Sequence, residues 1–118
     1  MKFLIVDDSK LSRSKILSYI EDLGHEVIGE AVDGNDAIVK AKELNPEYIT
    51  MDLEMPNLSG VDATKKILSN NPNIKIILIT SISDKTEIIR AIKYGAKGSL
   101  RKPITKIMLE NELKKINR

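Results

Sequence analysis

Five times along the chain a short apolar run gives way to a longer amphipathic segment, an order that few architectures accommodate. KFLIV (2–6) is continuously apolar, as a parallel strand covered on both faces has to be. The next segment sets Leu11, Ile16, Tyr19, Ile20 and Leu23 at helical spacing, with Ser9 as N-cap and Gly24 as its end. A second strand is expected near EVIGEA (26–31). A helix then starts after Asp33, carries Ala37, Ile38, Ala41 and Leu44, and is stopped by Asn45 and Pro46. YITM (48–51) reads as the third strand; the turn EMPNLSG follows, then a helix with Val61, Ala63, Ile67 and Leu68 that closes in the turn-forming SNNPN. IKIILIT (74–80) is the most hydrophobic strand and is expected at the middle of the sheet. Asp84 with Glu87 three residues on is a capping-box pattern, opening a fourth helix with Ile88, Ile89 and Ile92. A short strand near GSLR (98–101) and a helix from about Thr105 to Ile116 complete the series.

Five successive β/α units predict an α/β fold: a doubly wound, five-stranded parallel sheet with right-handed crossovers, helices on both faces and the flavodoxin-like strand order 2-1-3-4-5. A (β/α)8 barrel needs about twice this length, and the 118 residues match one domain spanning 1–118, with no output domain. Absence of Cys removes disulfides, thiolate metal sites and thiol nucleophiles together. No apolar run approaches the roughly 18 residues of a membrane span, and KFLIV is too short for a signal peptide, so a cytoplasmic location and no membrane contact are expected. Nucleotide-binding glycine motifs are also missing.

The strand ends collect the unusual polar residues. Asp7 and Asp8 follow strand one directly, although two adjacent carboxylates repel each other and gain nothing from a core. Asp52 ends strand three, Thr80 ends strand four and Lys102 ends strand five, all at the carboxyl edge where open α/β sheets bind ligands. Singly, each has a structural use: Asp8 as a helix cap beside an exposed Asp7, Asp52 as a turn residue before Pro56, Thr80 as a strand former, Lys102 as surface. Together on one rim, they leave a like-charge cost that structure alone does not offset. A hard divalent cation does offset it, and magnesium suits such an oxygen-rich pocket. With that charge balanced, an Asp52 oxygen can act as nucleophile toward phosphorus while Lys102 and the Thr80 hydroxyl hold phosphoryl oxygens.

VDDS, MDLEMPNLSG, LITS and GSLRKP in one chain resemble the response-regulator receiver domains over the full length, in particular the single-domain chemotaxis type. The resemblance implies Asp52 as phosphoacceptor in a magnesium-dependent reaction and Asp7 and Asp8 as the metal-holding pair. It makes Thr80 and Lys102 the phosphoryl-sensing residues and the Glu54 backbone carbonyl a further metal ligand. It also implies a histidine kinase as phosphodonor, a cis Lys102–Pro103 bond, and a switch face built from helix four, strand five and helix five. The chain departs from the family at the strand-five position before LRKP, where Ser99 replaces the usual aromatic; Tyr94 lies at the end of helix four instead. Glu54 and Ile82 fall where the family flanks its phosphoryl pocket, and either one is positioned to tune the phosphoryl lifetime, by charge or by shielding.

Charge is polarised along the chain: residues 1–92 hold 11 basic and 15 acidic side chains, residues 93–118 hold 8 basic and 2 acidic. The basic end contains most of the switch face, so Lys93, Lys97, Arg101 and Lys106 are expected to receive an acidic protein target. With three Tyr, one Phe and no Trp, the tail lacks base-stacking aromatics, and nucleic acid is not expected. His25 reads as a loop residue rather than a phosphorelay histidine. A monomer that signals in chemotaxis or motility is the leading expectation. A phosphorelay intermediate, a phosphorylation-independent receiver and a small aspartyl-phosphate phosphatase stay as alternatives; the last of these family types places its nucleophile in a D-x-D motif on strand one, which this chain lacks.

Overall fold

The structure is a computed structural model that describes residues 1–81 and 85–117. Ten elements alternate in chain order: β1 (Lys2–Val6), α1 (Lys10–Asp22), β2 (Glu26–Ala31), α2 (Gly34–Leu44), β3 (Tyr48–Asp52), α3 (Gly60–Asn70), β4 (Lys75–Thr80), α4 (Lys85–Lys93), β5 (Gly98–Arg101) and α5 (Lys106–Ile116). All strand pairings are parallel and the order is β2-β1-β3-β4-β5, the doubly wound fold that the alternation predicts.

Strand pleating divides the core in two. Leu4, Val6, Ile49, Met51, Ile76 and Leu78 face α2, α3 and α4, which supply Ala37, Ala41, Val61, Ala63, Ile67 and Ala91. On the other side Phe3, Ile5, Tyr48, Ile77 and Ile79 meet Ile16 and Ile20 of α1 and Leu109 and Leu113 of α5. Because β1, β3 and β4 each feed both layers, these strands are apolar on both faces.

Helix ends follow local chemistry. Ser9, Asp33, Ser59 and Thr105 cap α1, α2, α3 and α5, each side-chain oxygen accepting from the amide three residues on. Asn45 ends α2 in the left-handed region at φ 48°, and Gly24 follows α1 at φ 87°. The Asp84 capping box lies outside the described residues.

Three expectations are corrected. β3, not β4, is the central strand and is buried at every position, whereas β4 stands between it and the short edge strand β5; hydrophobicity marked β4 as interior without ranking the two. Leu11 is 69% exposed, whereas Ile16 and Ile20 are the α1 residues buried in the core. On α4, Ala91 faces the core, Ile88 packs partly against it, and Ile89 and Ile92 face outward.

Candidate functional site

β1 and β3 are adjacent, with Val6 opposite Met51, so the residues that follow them emerge side by side. Asp7 is completely buried, its amide donating to the Ala31 carbonyl at 3.1 Å, while Asp8 is exposed. The helix cap is Ser9, whose amide donates to Asp7 Oδ1 at 2.9 Å. Asp52, 2% exposed, closes β3. Gly60 underlies it at the start of α3; a Cβ there would stand 2.3 Å from the Asp52 carbonyl oxygen, so only glycine lets α3 approach this closely.

Asp7, Asp8 and Asp52 each offer a carboxylate oxygen, and the three atoms lie within 4.8 Å of one another. At an effective dielectric constant of about 20, each such pair repels by at least ~3 kcal/mol. Lys102 relieves part of this: its Nζ lies 3.1 Å from Asp7 Oδ2 and 3.6 Å from Asp52 Oδ2. The lysine is delivered by a continuation of the sheet, its amide donating to the Thr80 carbonyl at 2.8 Å, just before a cis Lys102–Pro103 bond.

The charges respond to these surroundings. Burial pushes the Asp52 carboxyl up to about 6; the Glu54 amide and the Lys102 charge pull the other way, and the Asp7 and Asp8 charges add to the rise. Burial would raise Asp7 as well, but hydrogen bonds from Ser12, Ser9 and Lys102 outweigh it and hold this carboxyl below its usual range. Burial would lower Lys102, yet Asp52 and Asp7 hold it above its ordinary value. The rim therefore pairs one firmly ionised carboxylate with one that titrates much closer to neutrality.

Glu54 spans the mouth of the pocket. Its amide donates to Asp52 Oδ1 at 3.0 Å, and its side-chain Oε1 accepts from Thr80 Oγ1 at 3.3 Å and from the Ser81 amide at 2.9 Å, with the Ser81 hydroxyl as a third donor. Ser81 hydroxyl bonding leads the causes that lower the Glu54 carboxyl. The strand ends thus bring Asp7, Asp8, Asp52, Thr80, Lys102 and Glu54 to one edge, Glu54 through its amide and side chain, while Ile82 lies outside the described residues.

Sequence reasoning missed Arg13 and Ser81. Arg13 donates to the Asp7 carbonyl at 2.8 Å and pairs with Glu30 at 3.0 Å, bracing the loop that presents the acidic pair. Its position one turn beyond the Ser9 cap was the available signal. Ser81 read only as a polar residue after a strand. Ser99 is half-buried on β5 opposite Leu78, and Tyr94 packs against the α2–α4 layer with Lys65 Nζ 5.2 Å from its ring centre, so no aromatic stands on β5. His25 is held by a 3.1 Å hydrogen bond with the terminal amine and packs beside Phe3, away from the rim.

Comparison with known proteins places this geometry. Residues 3–114 match the response regulator receiver domain family. The chemotaxis protein CheY of Thermotoga maritima is 39% identical over 117 residues, covering 99% of this chain and 98% of its own. The response regulator domain of Thermotoga maritima CheB superposes with a TM-score of 0.88 at 33% identity, covering 100% of this chain and 97% of that one. CheY in the CheX–CheY–BeF3–magnesium complex of Borrelia burgdorferi shares the fold with a TM-score of 0.95 at 24% identity, covering 100% of this chain and 90% of that one.

Proposed function

Because this chain belongs to the response regulator receiver domain family, we propose that it is a phosphorylation switch of a two-component system. Asp52 accepts a phosphoryl group from a histidine kinase, and the phosphorylated form signals through an altered protein contact. The reading is carried by one arrangement: three carboxylates within 4.8 Å at the strand ends, with Lys102 Nζ against two of them.

The donor set fits a hard cation, being all oxygen and in excess of the single ammonium beside it. Asp7, Asp8, Asp52 and the Glu54 backbone carbonyl would hold magnesium, which supplies charge neutralisation for the phosphoryl oxygens when bound. The Asp52 carboxylate attacks phosphorus in line; a P–O bond forms as the P–N bond to the phosphohistidine breaks, and the imidazole nitrogen keeps the electron pair and takes a proton from solvent. No separate base is required, since Asp52 with a pKa of about 6 is mostly ionised at neutral pH. Lys102 moves its charge from the carboxylates to a phosphoryl oxygen, and the Thr80 hydroxyl donates to another.

The output surface is the α4–β5–α5 face. Lys93, Lys97, Arg101 and Lys106 are exposed there, with Ile89, Ile92 and Ile107 outward among them. Such a face suits an acidic target with apolar anchors. With Ser99 in place of a ring, the change at Thr80 reaches this face without an aromatic rotation. Likeness to CheY over nearly the whole chain supports a chemotaxis or motility pathway; the form we propose is a cytoplasmic monomer. The test is an amide-resolved NMR titration with beryllofluoride and magnesium. Expected are shifts centred on Asp52, Thr80 and Lys102 that extend into α4 and β5, require magnesium and vanish in Asp52→Ala. Shifts that persist in the variant or without magnesium would overturn the reading.

A further inference from the structure

A single oxygen of Glu54 gathers three donors, the Thr80 hydroxyl and both the amide and hydroxyl of Ser81. The same residue holds Asp52 through its amide, 3.0 Å from Oδ1. Glu54 is exposed, so water was open to its carboxylate; instead the side chain crosses from the β3–α3 loop to the end of β4. Convergent, uncharged donors of this sort are what an anion requires at a transfer site, and here an anion of the chain itself satisfies them. Within the reading of Asp52 as phosphoacceptor, the incoming oxygens need the same Thr80 hydroxyl.

We propose that the Glu54 carboxylate is a built-in competitor of the phosphoryl group, holding the Thr80 and Ser81 donors in the unphosphorylated protein until the phosphoryl oxygens displace it. The competition is specific to shared donors and so differs from general repulsion between Glu54 and any incoming anion. Displacement by a phosphoryl dianion is helped by like charge, since both anions crowd the same rim once Asp52 is modified. The switch then has two defined states of the Thr80–Ser81 donors, one tied to Glu54 and one tied to Asp52. Each state draws on the same two residues, so the two cannot be satisfied together.

Two readouts test this. In the unphosphorylated protein, Glu54→Ala should speed hydrogen exchange of the Ser81 amide by roughly tenfold, the worth of one charge-assisted hydrogen bond, and Glu54→Gln, which keeps an acceptor, should speed it less. Unchanged Ser81 exchange in Glu54→Ala overturns the contact. With magnesium present, Glu54→Ala should tighten beryllofluoride binding by roughly threefold to tenfold, and that gain should shrink when made in a Thr80→Ala, Ser81→Ala background, which leaves the Ser81 amide as the one shared donor. An equal gain in both backgrounds means plain charge repulsion and overturns the proposal, as does no gain in either. Failure of the unmodified protein to bind beryllofluoride would instead remove the phosphoacceptor reading and the competition with it; binding that is indifferent to Glu54 removes the competition alone.

Discussion

Replacing Asp52 by Asn should stabilise this protein when magnesium is withheld. The carboxyl is 2% exposed and its pKa is raised by burial from 3.8 to about 6. Between these values the folded protein keeps a proton that the unfolded chain has released, so the stability contributed by this group falls as pH rises through the window. A gap of about two units amounts to about 3 kcal/mol by pH 7. Asn keeps an oxygen for the Glu54 amide, and Lys102 keeps its closer partner, Asp7, at 3.1 Å, so the substitution removes chiefly the buried charge. Urea unfolding followed by far-UV circular dichroism, in a chelating buffer, should place Asp52→Asn up to about 3 kcal/mol above the unmodified protein at pH 7, and up to about 12 °C higher in Tm. The advantage should shrink toward zero by about pH 4, and magnesium should narrow it at pH 7 by binding only the protein with three carboxylates. A variant less stable than the parent at pH 7 without magnesium, or an advantage that ignores pH, would refute the reasoning.

Magnesium should raise the unfolding midpoint of the parent, by about 2.7 kcal/mol at a hundredfold excess over its dissociation constant; Asp8→Asn should lose most of this effect in the same denaturation assay. Gly60→Ala forces a Cβ to within 2.3 Å of the Asp52 carbonyl oxygen and 2.7 Å of Leu53 Cα, and should cost about 2 kcal/mol in urea unfolding as α3 is pushed from β3. Lys102→Met removes the ammonium from both buried carboxylates; the Asp52 carboxyl should move further upward in a carbon-detected NMR titration, and phosphoryl uptake from acetyl phosphate should slow by about a hundredfold.

Strand and helix order was legible because β1 and β4 carry unbroken apolar runs, β3 breaks its run only at Thr50, and the caps Ser9, Asp33 and Thr105 stand where helices begin. The rim was legible too, since topology alone brings the ends of β1, β3, β4 and β5 to one edge. What the residue order does not encode is orientation at fine scale. Of the adjacent acids, Asp7 turns fully inward and Asp8 outward, a choice made by the Ser9 and Lys102 contacts rather than by either residue itself. Leu11 and Ile92 fit helical spacing yet face solvent, because a helix of this length covers the sheet with only part of its circumference. Glu54 and Ser81 meet across 27 positions of sequence, and a contact between two loops leaves no periodic trace.

The central claim is that Asp52 takes a phosphoryl group. The most direct measurement is the intact mass of the purified protein after incubation with magnesium and acetyl phosphate, beside Asp52→Ala treated alike. One added phosphoryl mass that requires magnesium and is missing from the variant is the predicted result. An adduct of the same size on Asp52→Ala, or one that forms equally well in chelator, would contradict it.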